Sequence, residues 1–199
     1  MKIAVTGTIG AGKSKASSYL VSKGYPVFDT DKLVHQYYEP NGCLYDTVRV
    51  LFGPSILADD ETIDRRKLGA RVFSDSSALD ALEAHVFPVV SEHVAALYRS
   101  IENHENMLVF FEVPMLFEAH MENEYDCIIM INADYDIRIP RLMKRGLRED
   151  DVLKRMERHM DETQKMNKSD IIVWNNDTES QLYEQLDRVL ETLERRLHD

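Results

Sequence analysis

Cysteine and long apolar runs are scarce in this chain of 199 residues. The two cysteines, Cys43 and Cys127, lie far apart and lack the spacing of a metal site, which argues against a disulfide framework and for free thiols in a reducing compartment. After Lys2 the first apolar run stops at Thr6, far short of a signal peptide or a membrane span. We therefore expect a cytoplasmic protein with no membrane partner.

Basic residues are also few: the chain has 24 Lys and Arg and 35 Asp and Glu, which gives a formal net charge of -11. A surface this acidic argues against broad nucleic-acid binding and against docking on an anionic membrane. Anionic small substrates remain possible, because a local basic patch reverses the field. The segment 138–158 is such a patch, with eight cations against four anions.

Five apolar runs of strand length predict a parallel sheet. All but the second are nearly continuous in large apolar residues, as in strands that are buried on both faces. Helical patterns fill much of the space between them, and this alternation predicts a three-layer α/β domain. At the end of the chain, apolar residues from Leu182 to Leu197 share one face of a predicted helix. The five runs are KIAVT (2–6), YPVFD (25–29), MLVFFEV (107–113), DCIIMIN (126–132) and DIIVWNN (170–176).

One long segment interrupts the alternation. Residues 32–106 are too many for a single crossover and carry several helical patterns, one of them at about 79–101, which Pro88 is expected to kink or divide. We interpret 32–106 as a helical insertion after the second strand. The core domain is then predicted to comprise 1–31 and 107–199.

The string GTIGAGKS fits the phosphate-loop pattern G-x-x-x-x-G-K-[ST] between a predicted strand and a predicted helix. Its glycines can turn successive N–H groups toward phosphates, and the following helix adds the partial positive charge of its N-terminus. Lys13 would reach the β- and γ-phosphates of ATP, and the Ser14 hydroxyl would bind Mg²⁺. The alternative is an accidental glycine-rich turn. The predicted phosphate-loop residues are Gly7, Thr8, Gly10, Ala11, Gly12, Lys13, Ser14 and Lys15.

A phosphate loop alone is compatible with a GTPase, an ATPase motor or a kinase. The string NKSD (167–170) is similar to the guanine-reading N-K-x-D of GTPases. In GTPases that string follows a strand, whereas here it precedes the fifth predicted strand. No D-x-x-G occurs in the chain. We interpret NKSD as a connection from a helix to a strand.

Carboxylates near the strand ends favour a kinase. Asp29 and Asp31 follow the second strand, at the edge where ligands bind if the sheet is parallel. Asp31 could orient or deprotonate an acceptor hydroxyl, or it could cap the next helix. Glu112 ends the third strand, where it could help to hold Mg²⁺ or lie exposed.

Two arginines of the basic segment are candidates for transition-state stabilisation. Arg141 and Arg145 are four residues apart and would share a helical face. Arginines that close over a transferred phosphoryl group neutralise its developing charge. The alternative is a solvated basic face paired with nearby acids.

These motifs together resemble the dephospho-coenzyme A kinase family, in family order and over nearly the whole chain. The resemblance implies a P-loop kinase fold with five parallel strands, a helical acceptor-binding domain at 32–106 and a lid at about 138–165. It implies transfer of phosphate from ATP to the ribose 3′-hydroxyl of dephospho-coenzyme A, in a monomer or small homo-oligomer. The matching strings are TGTIGAGKS, VFDTDKLVHQ, IDRRKLGARVFSD, EVPMLFE, RLMKRGL and SDIIVWNN.

By the same resemblance, Asp31 corresponds to the proposed catalytic aspartate, and Arg141 and Arg145 correspond to the lid arginines. Five positions depart from the pattern of the family. A second glycine is replaced by Thr8, a threonine by Lys15, a histidine by Phe87, an aspartate by Glu112 and a glutamine by His159. A nucleoside or nucleotide kinase with another acceptor, and a non-catalytic relative that binds a nucleotide or coenzyme A, therefore stay as alternatives.

Overall fold

The computed structural model describes residues 1–146, 152, 156 and 159–198. The chain divides into two compact units. One unit consists of Met1–Asp29 with Tyr98–Asp199, and the other is Thr30–Leu97. In the ranges that the structure describes, no helix is both long and apolar enough to cross a membrane.

Five parallel strands form the sheet of the first unit. They are β1 (Lys2–Gly7), β2 (Val27–Asp29), β3 (Val109–Glu112), β4 (Cys127–Asn132) and β5 (Ile171–Trp174). Their order is β2-β3-β1-β4-β5, so β1 is central and pairs with β3 and β4. Each of the five apolar runs contains one strand, which confirms the predicted α/β class.

Helices connect the strands and form the second unit. They are α1 (Lys13–Ser22), α2 (Thr30–Tyr37), α3 (Tyr45–Phe52), α4 (Arg65–Phe73), α5 (Ser76–Ser100), α6 (Tyr135–Lys144), α7 (Glu162–Asn167) and α8 (Glu179–His198). Three short 3-10 helices cover Pro54–Ile56, His104–Asn106 and Glu122–Glu124.

A hydrophobic core lies between one face of the sheet and the helices α1 and α8. Alternate residues of β1, Ile3 and Val5, point into it because successive side chains of a strand face opposite sides. The predicted apolar face of the last helix is confirmed, since four leucines of α8 are buried there. Each fully buried leucine contributes about 2 kcal/mol. The buried leucines are Leu182, Leu186, Leu190 and Leu193.

The second unit, Thr30–Leu97, covers most of the predicted insertion 32–106. Pro88 was expected to kink or divide the long helix of this unit, and of these two effects division is wrong, because α5 runs through Pro88 as one helix of 25 residues. Pro88 is exposed, so the backbone carbonyl that loses its hydrogen bond there can be solvated. The opposite face of α5 is buried at intervals of four residues on both sides of Pro88. Its buried residues are Ala78, Leu82, Val86, Val90 and Val94.

Candidate active site

The phosphate-loop motif forms a tight connection between β1 and α1. β1 ends at Gly7 and α1 begins at Lys13. The residue before the helix is Gly12, in the left-handed region with φ 103° and with no side chain to cap the first turn. Helix N-termini of this kind, where no side chain of the capping residue occupies the first turn, are common anion-binding sites.

Two glycines are required by close packing around this loop. A Cβ atom on Gly7 would lie 2.0 Å from the carbonyl oxygen of Ile131 in β4. A Cβ atom on Gly12 would lie 2.4 Å from Nδ2 of Asn175, and φ at Gly12 is also unfavourable for other residues. A larger residue at either position would displace the loop from the sheet.

The predicted pair of Ser14 and Glu112 comes together at the carboxyl ends of β1 and β3. The Ser14 hydroxyl donates a hydrogen bond to Oε1 of Glu112 at 3.1 Å. Glu112 is buried with 6% of its surface exposed, so the alternative of an exposed strand-end carboxylate is wrong. Lys13 lies across the loop, with Nζ donating to the carbonyl oxygen of Gly7 at 3.2 Å. A hydroxyl beside a carboxylate is a pair of hard oxygen donors, which fits the ligand preference of Mg²⁺.

Two asparagines that the sequence analysis missed hold the loop. The Thr8 hydroxyl donates to Oδ1 of Asn132 at 2.7 Å, and Nδ2 of Asn175 donates to the carbonyl oxygen of Ala11 at 2.7 Å. The backbone N–H of Asn175 also donates to the carbonyl oxygen of Asn132 at 2.7 Å. Both asparagines lie at the carboxyl ends of strands. A polar residue directly after a buried parallel strand is therefore the signal that would have found them.

A cavity of about 290 Å³ opens beside the phosphate loop in the first unit. Its wall combines backbone of the loop with four cationic side chains and two carboxylates. The predicted Arg141 and Arg145 both line it, and Nη1 of Arg141 is buried with no hydrogen-bond partner in the described part of the chain. The lining residues are Gly10, Gly12, Lys15, Arg141, Lys144, Arg145, Asn175, Asp177 and Glu179.

The remaining site predictions are placed as follows. Asp31 is exposed and is the second residue of α2, so it lies within the first turn and is not the cap of that helix. Asp29, two residues earlier, is the register partner of Glu112 at the end of the sheet. The lid predicted at about 138–165 lies partly outside the described residues, which omit 147–151, 153–155 and 157–158.

NKSD lies at the opposite edge of the sheet from the phosphate loop. Asp170 accepts a hydrogen bond from the backbone N–H of Ile128 at 2.7 Å, next to the first residue of β4. The loop instead follows the last residue of β1, and parallel strands all end at the same edge. NKSD therefore cannot read a base beside the phosphates, and the GTPase alternative is wrong.

Glu118, in the EVPMLFE string, is the centre of a buried charge cluster. Its Oε1 lies 2.7 Å from Nζ of Lys165, and it accepts from the backbone N–H of Met160 at 2.9 Å. Nδ1 of His159 is 3.2 Å from the same oxygen. Burial by itself raises the pKa of Glu118, but the hydrogen bonds from His159 and Lys165 outweigh burial and lower the pKa to about 2.

Comparison with known proteins agrees with these features. The family model described as dephospho-CoA kinase matches residues 1–181. A protein of Oceanobacillus iheyensis named dephospho-CoA kinase is 34% identical over 190 residues, which cover 95% of this chain and 96% of its own. The chain belongs to the dephospho-CoA kinase family.

Solved structures agree with membership in the dephospho-CoA kinase family. A crystal structure from Thermus thermophilus is 33% identical, covers 97% of both chains and has a TM-score of 0.83. Dephospho-CoA kinase from Campylobacter jejuni is 26% identical, covers 98% of both chains and has a TM-score of 0.72. The predicted P-loop kinase fold and the resemblance stated from the motifs are therefore confirmed.

Three of the residues that depart from the dephospho-CoA kinase pattern make defined contacts in the structure. Thr8 binds Asn132, as described above, and His159 contacts Glu118. Lys15 forms an ion pair with a carboxylate oxygen of Glu179 at 2.5 Å, on the rim of the cavity. Each departing side chain thus has a partner within the first unit.

Proposed function

We propose that this protein transfers the γ-phosphoryl group of ATP to the ribose 3′-hydroxyl of dephospho-coenzyme A, which gives coenzyme A and ADP in the last step of coenzyme A biosynthesis. The observation that carries the proposal is the pairing of Ser14 with buried Glu112 beside the phosphate loop in a chain of this family. We place the reaction in the cytoplasm, in a monomer or small homo-oligomer, with no nucleic-acid or membrane partner.

The phosphate loop holds the ATP phosphates in this proposal. Its backbone N–H groups and the uncapped first turn of α1 donate to phosphate oxygens. Lys13, whose Nζ donates to the carbonyl oxygen of Gly7 in the loop, exchanges that contact for a phosphate of the bound nucleotide. The loop binds the triphosphate through backbone groups, so it tolerates Thr8 and Lys15 where the family has other residues.

Ser14 and Glu112 would hold Mg²⁺. When bound, the cation neutralises charge on the β- and γ-phosphates and orients them for in-line transfer. Glu112 is one methylene longer than the aspartate that the family pattern has at this position. Burial of Glu112 at the end of β3 keeps its carboxylate beside the Ser14 hydroxyl at 3.1 Å.

Asp31 orients the acceptor and receives its proton. As the bond from the acceptor oxygen to the γ-phosphorus forms, the hydroxyl proton passes to the Asp31 carboxylate, and the bond from that phosphorus to the ADP oxygen breaks. Asp31 follows β2 by two residues, and β2 ends at the same sheet edge as β3. Its place in the first turn of α2 also stabilises its negative charge by the helix dipole.

Arg141 and Arg145 stabilise the charge that develops during transfer. Both line the cavity next to the phosphate loop, and Nη1 of Arg141, which is buried with no hydrogen-bond partner among the described residues, supports a role toward an anionic ligand. The helical unit around 32–106 supplies the acceptor-binding surface. Phe87, half-buried in α5, is the departure from the family pattern within this segment, where the family has a histidine.

The test is an acceptor panel with purified protein. Mg-ATP is supplied with dephospho-coenzyme A, a set of nucleosides or a set of nucleotides, and ADP release and product mass are measured. We expect turnover with dephospho-coenzyme A alone, and at least a hundredfold loss in Asp31→Asn. Turnover of a nucleoside or nucleotide instead would support a kinase with another acceptor. Binding of coenzyme A without ADP release would support a non-catalytic relative.

A further inference from the structure

A chain of hydrogen bonds connects the phosphate loop to two helices of the first unit. The buried Thr8 hydroxyl donates to Oδ1 of Asn132 at 2.7 Å, and Asn132 is fully buried at the end of β4. Nδ2 of Asn132 donates to Oε1 of Glu162 in α7 at 2.7 Å. The other oxygen of Glu162 pairs with Nη2 of Arg138 in α6, whose side chain is only 4% exposed.

The chemistry of these groups permits a single arrangement. The Glu162 carboxylate only accepts hydrogen bonds, so the NH₂ group of Asn132 must face it. The amide oxygen of Asn132 then faces Thr8, and only a side chain that donates a hydrogen bond can complete the series of hydrogen bonds there. Glycine, which the family usually has at this position, would leave that buried oxygen without the donor.

The same helix, α6, packs directly on the phosphate loop. A Cβ atom at Gly10 would lie 3.0 Å from Cγ of Leu142 and 3.1 Å from the carbonyl oxygen of Arg138. Leu142 and Arg138 are 2% and 3% exposed. Arg141 lies between these two positions in the helix and lines the cavity, with Nη1 buried and unpartnered within the described ranges.

We propose that Thr8, Asn132, Glu162 and Arg138 form a positioning network that fixes α6 on the phosphate loop and so aims Arg141 at the bound phosphates. The inference rests on the proposed function and deepens it at the same site. None of the four residues needs to touch the reacting atoms, because each acts through the position of Arg141. Loss of the Thr8 hydroxyl should then slow phosphoryl transfer, and only because Arg141 is no longer held in position.

The decisive variant is Thr8→Val, which has nearly the same shape but no hydroxyl, compared in the wild-type and the Arg141→Met backgrounds. In the wild-type background we expect kcat to fall about tenfold, which corresponds to about 1.4 kcal/mol of barrier. In the Arg141→Met background the same change should lower kcat by less than about twofold, because residues that act through one group are not additive. Thr8→Ser, which restores the hydroxyl, should recover most of the loss.

Two further variants keep the inference falsifiable if Thr8→Val folds poorly. Glu162→Gln breaks the same network by removing the charge that pairs with Arg138, and it should show the same dependence on Arg141. Thr192→Val is the matched control: the Thr192 hydroxyl makes an exposed hydrogen bond within α8, so its loss should leave kcat unchanged. Equal losses of kcat with and without Arg141, or losses that track the melting temperature alone, would overturn the proposal.

Measuring nucleotide affinity tests the positioning network separately from the proposed activity. A fluorescent ATP analogue reports binding without any acceptor, and Thr8→Val should weaken its Kd several-fold only when Arg141 is present. If wild-type protein does not phosphorylate dephospho-coenzyme A, the proposed function fails. The Kd values of Thr8→Val with and without Arg141 still test the proposed network. An unchanged Kd together with unchanged kcat in Thr8→Val would reject the network by itself.

Discussion

Replacing Glu118 by Gln should destabilise the first unit strongly even though the side-chain volume is retained. Oε1 of Glu118 lies 2.7 Å from Nζ of Lys165, and the Lys165 side chain is 0% exposed. Gln carries no charge, so the buried ammonium loses the carboxylate that compensates it. Breaking a buried ion pair from one side typically costs about 3–5 kcal/mol.

The lowered pKa of Glu118 corresponds to a contribution of similar size from the same contacts. Its fall from 4.5 to about 2 corresponds to about 3 kcal/mol, since one pKa unit is worth about 1.4 kcal/mol. The side chain is only 12% exposed, so solvent screens the contribution little. At about 2–4 °C per kcal/mol for a protein of this size, the melting temperature should drop by about 6–12 °C.

The assay is urea unfolding followed by the fluorescence of Trp174. Trp174 is the single tryptophan of the chain and ends β5, so its signal reports the first unit. Because the folded-state pKa of Glu118 is the lower one, its contribution is complete above pH 4.5 and is lost as the pH falls from 4.5 toward 2. The difference in unfolding free energy between wild type and Glu118→Gln should therefore be constant near neutral pH and narrow below pH 4.5.

A matched control is Glu122→Gln, which removes an ion pair of equal length, 2.7 Å, to a Lys168 side chain that is 43% exposed. This control should cost less than about 1 kcal/mol. Adding Lys165→Met to Glu118→Gln should recover part of the loss, because no buried charge is then left unpaired. The reasoning fails if the Glu118 and Glu122 variants lose equal stability, or if the double variant is no more stable than Glu118→Gln.

Three further predictions concern the loop and the thiols. Gly7→Ala should cost about 3 kcal/mol in urea unfolding or abolish soluble expression, because its Cβ would lie 2.0 Å from a carbonyl oxygen of β4. Gly24→Ala, also at positive φ but in open space, should cost about 1 kcal/mol, and equal losses would contradict the packing argument. Lys15→Thr should change the unfolding free energy by less than about 0.5 kcal/mol, since both partners of its ion pair are about half exposed; a larger loss in urea unfolding would contradict this. Titration with a thiol reagent should modify exposed Cys43 quickly, while Cys127, whose pKa burial raises to about 11, should react only after unfolding; two fast thiols would refute this.

Much of the first unit could be predicted because its signals are local. Apolar runs of strand length marked all five strands, four of them nearly continuous, and the spacing from Gly7 to Ser14 marked the loop from contiguous residues alone. Division of the helix at Pro88, one of the two effects expected there, does not occur, because the buried face of α5 lies on both sides of the proline. Burial of that face outweighs the hydrogen bond that Pro88 cannot donate.

The contacts within the candidate site could not be predicted from short stretches of the sequence. Ser14 and Glu112 are 98 residues apart; Ser14 was predicted from the loop motif, and Glu112 only from its place at the end of a parallel strand. Asn132 and Asn175 were missed, although they contact the phosphate loop from 124 and 164 residues away. Such pairs depend on strand order, which no local periodicity encodes.

By itself, then, the sequence determined the class of the fold, the place of the phosphate loop and the resemblance to a kinase family, because these depend on residue spacing within short stretches. Only the tertiary structure decided which side chains meet. It paired Glu118 with Lys165 and Thr8 with Asn132, and it brought Arg141 to the wall of the cavity. Buried polar groups are hydrogen-bonded as a rule, but the packing of helices and strands around the sheet determines which groups come within hydrogen-bonding distance.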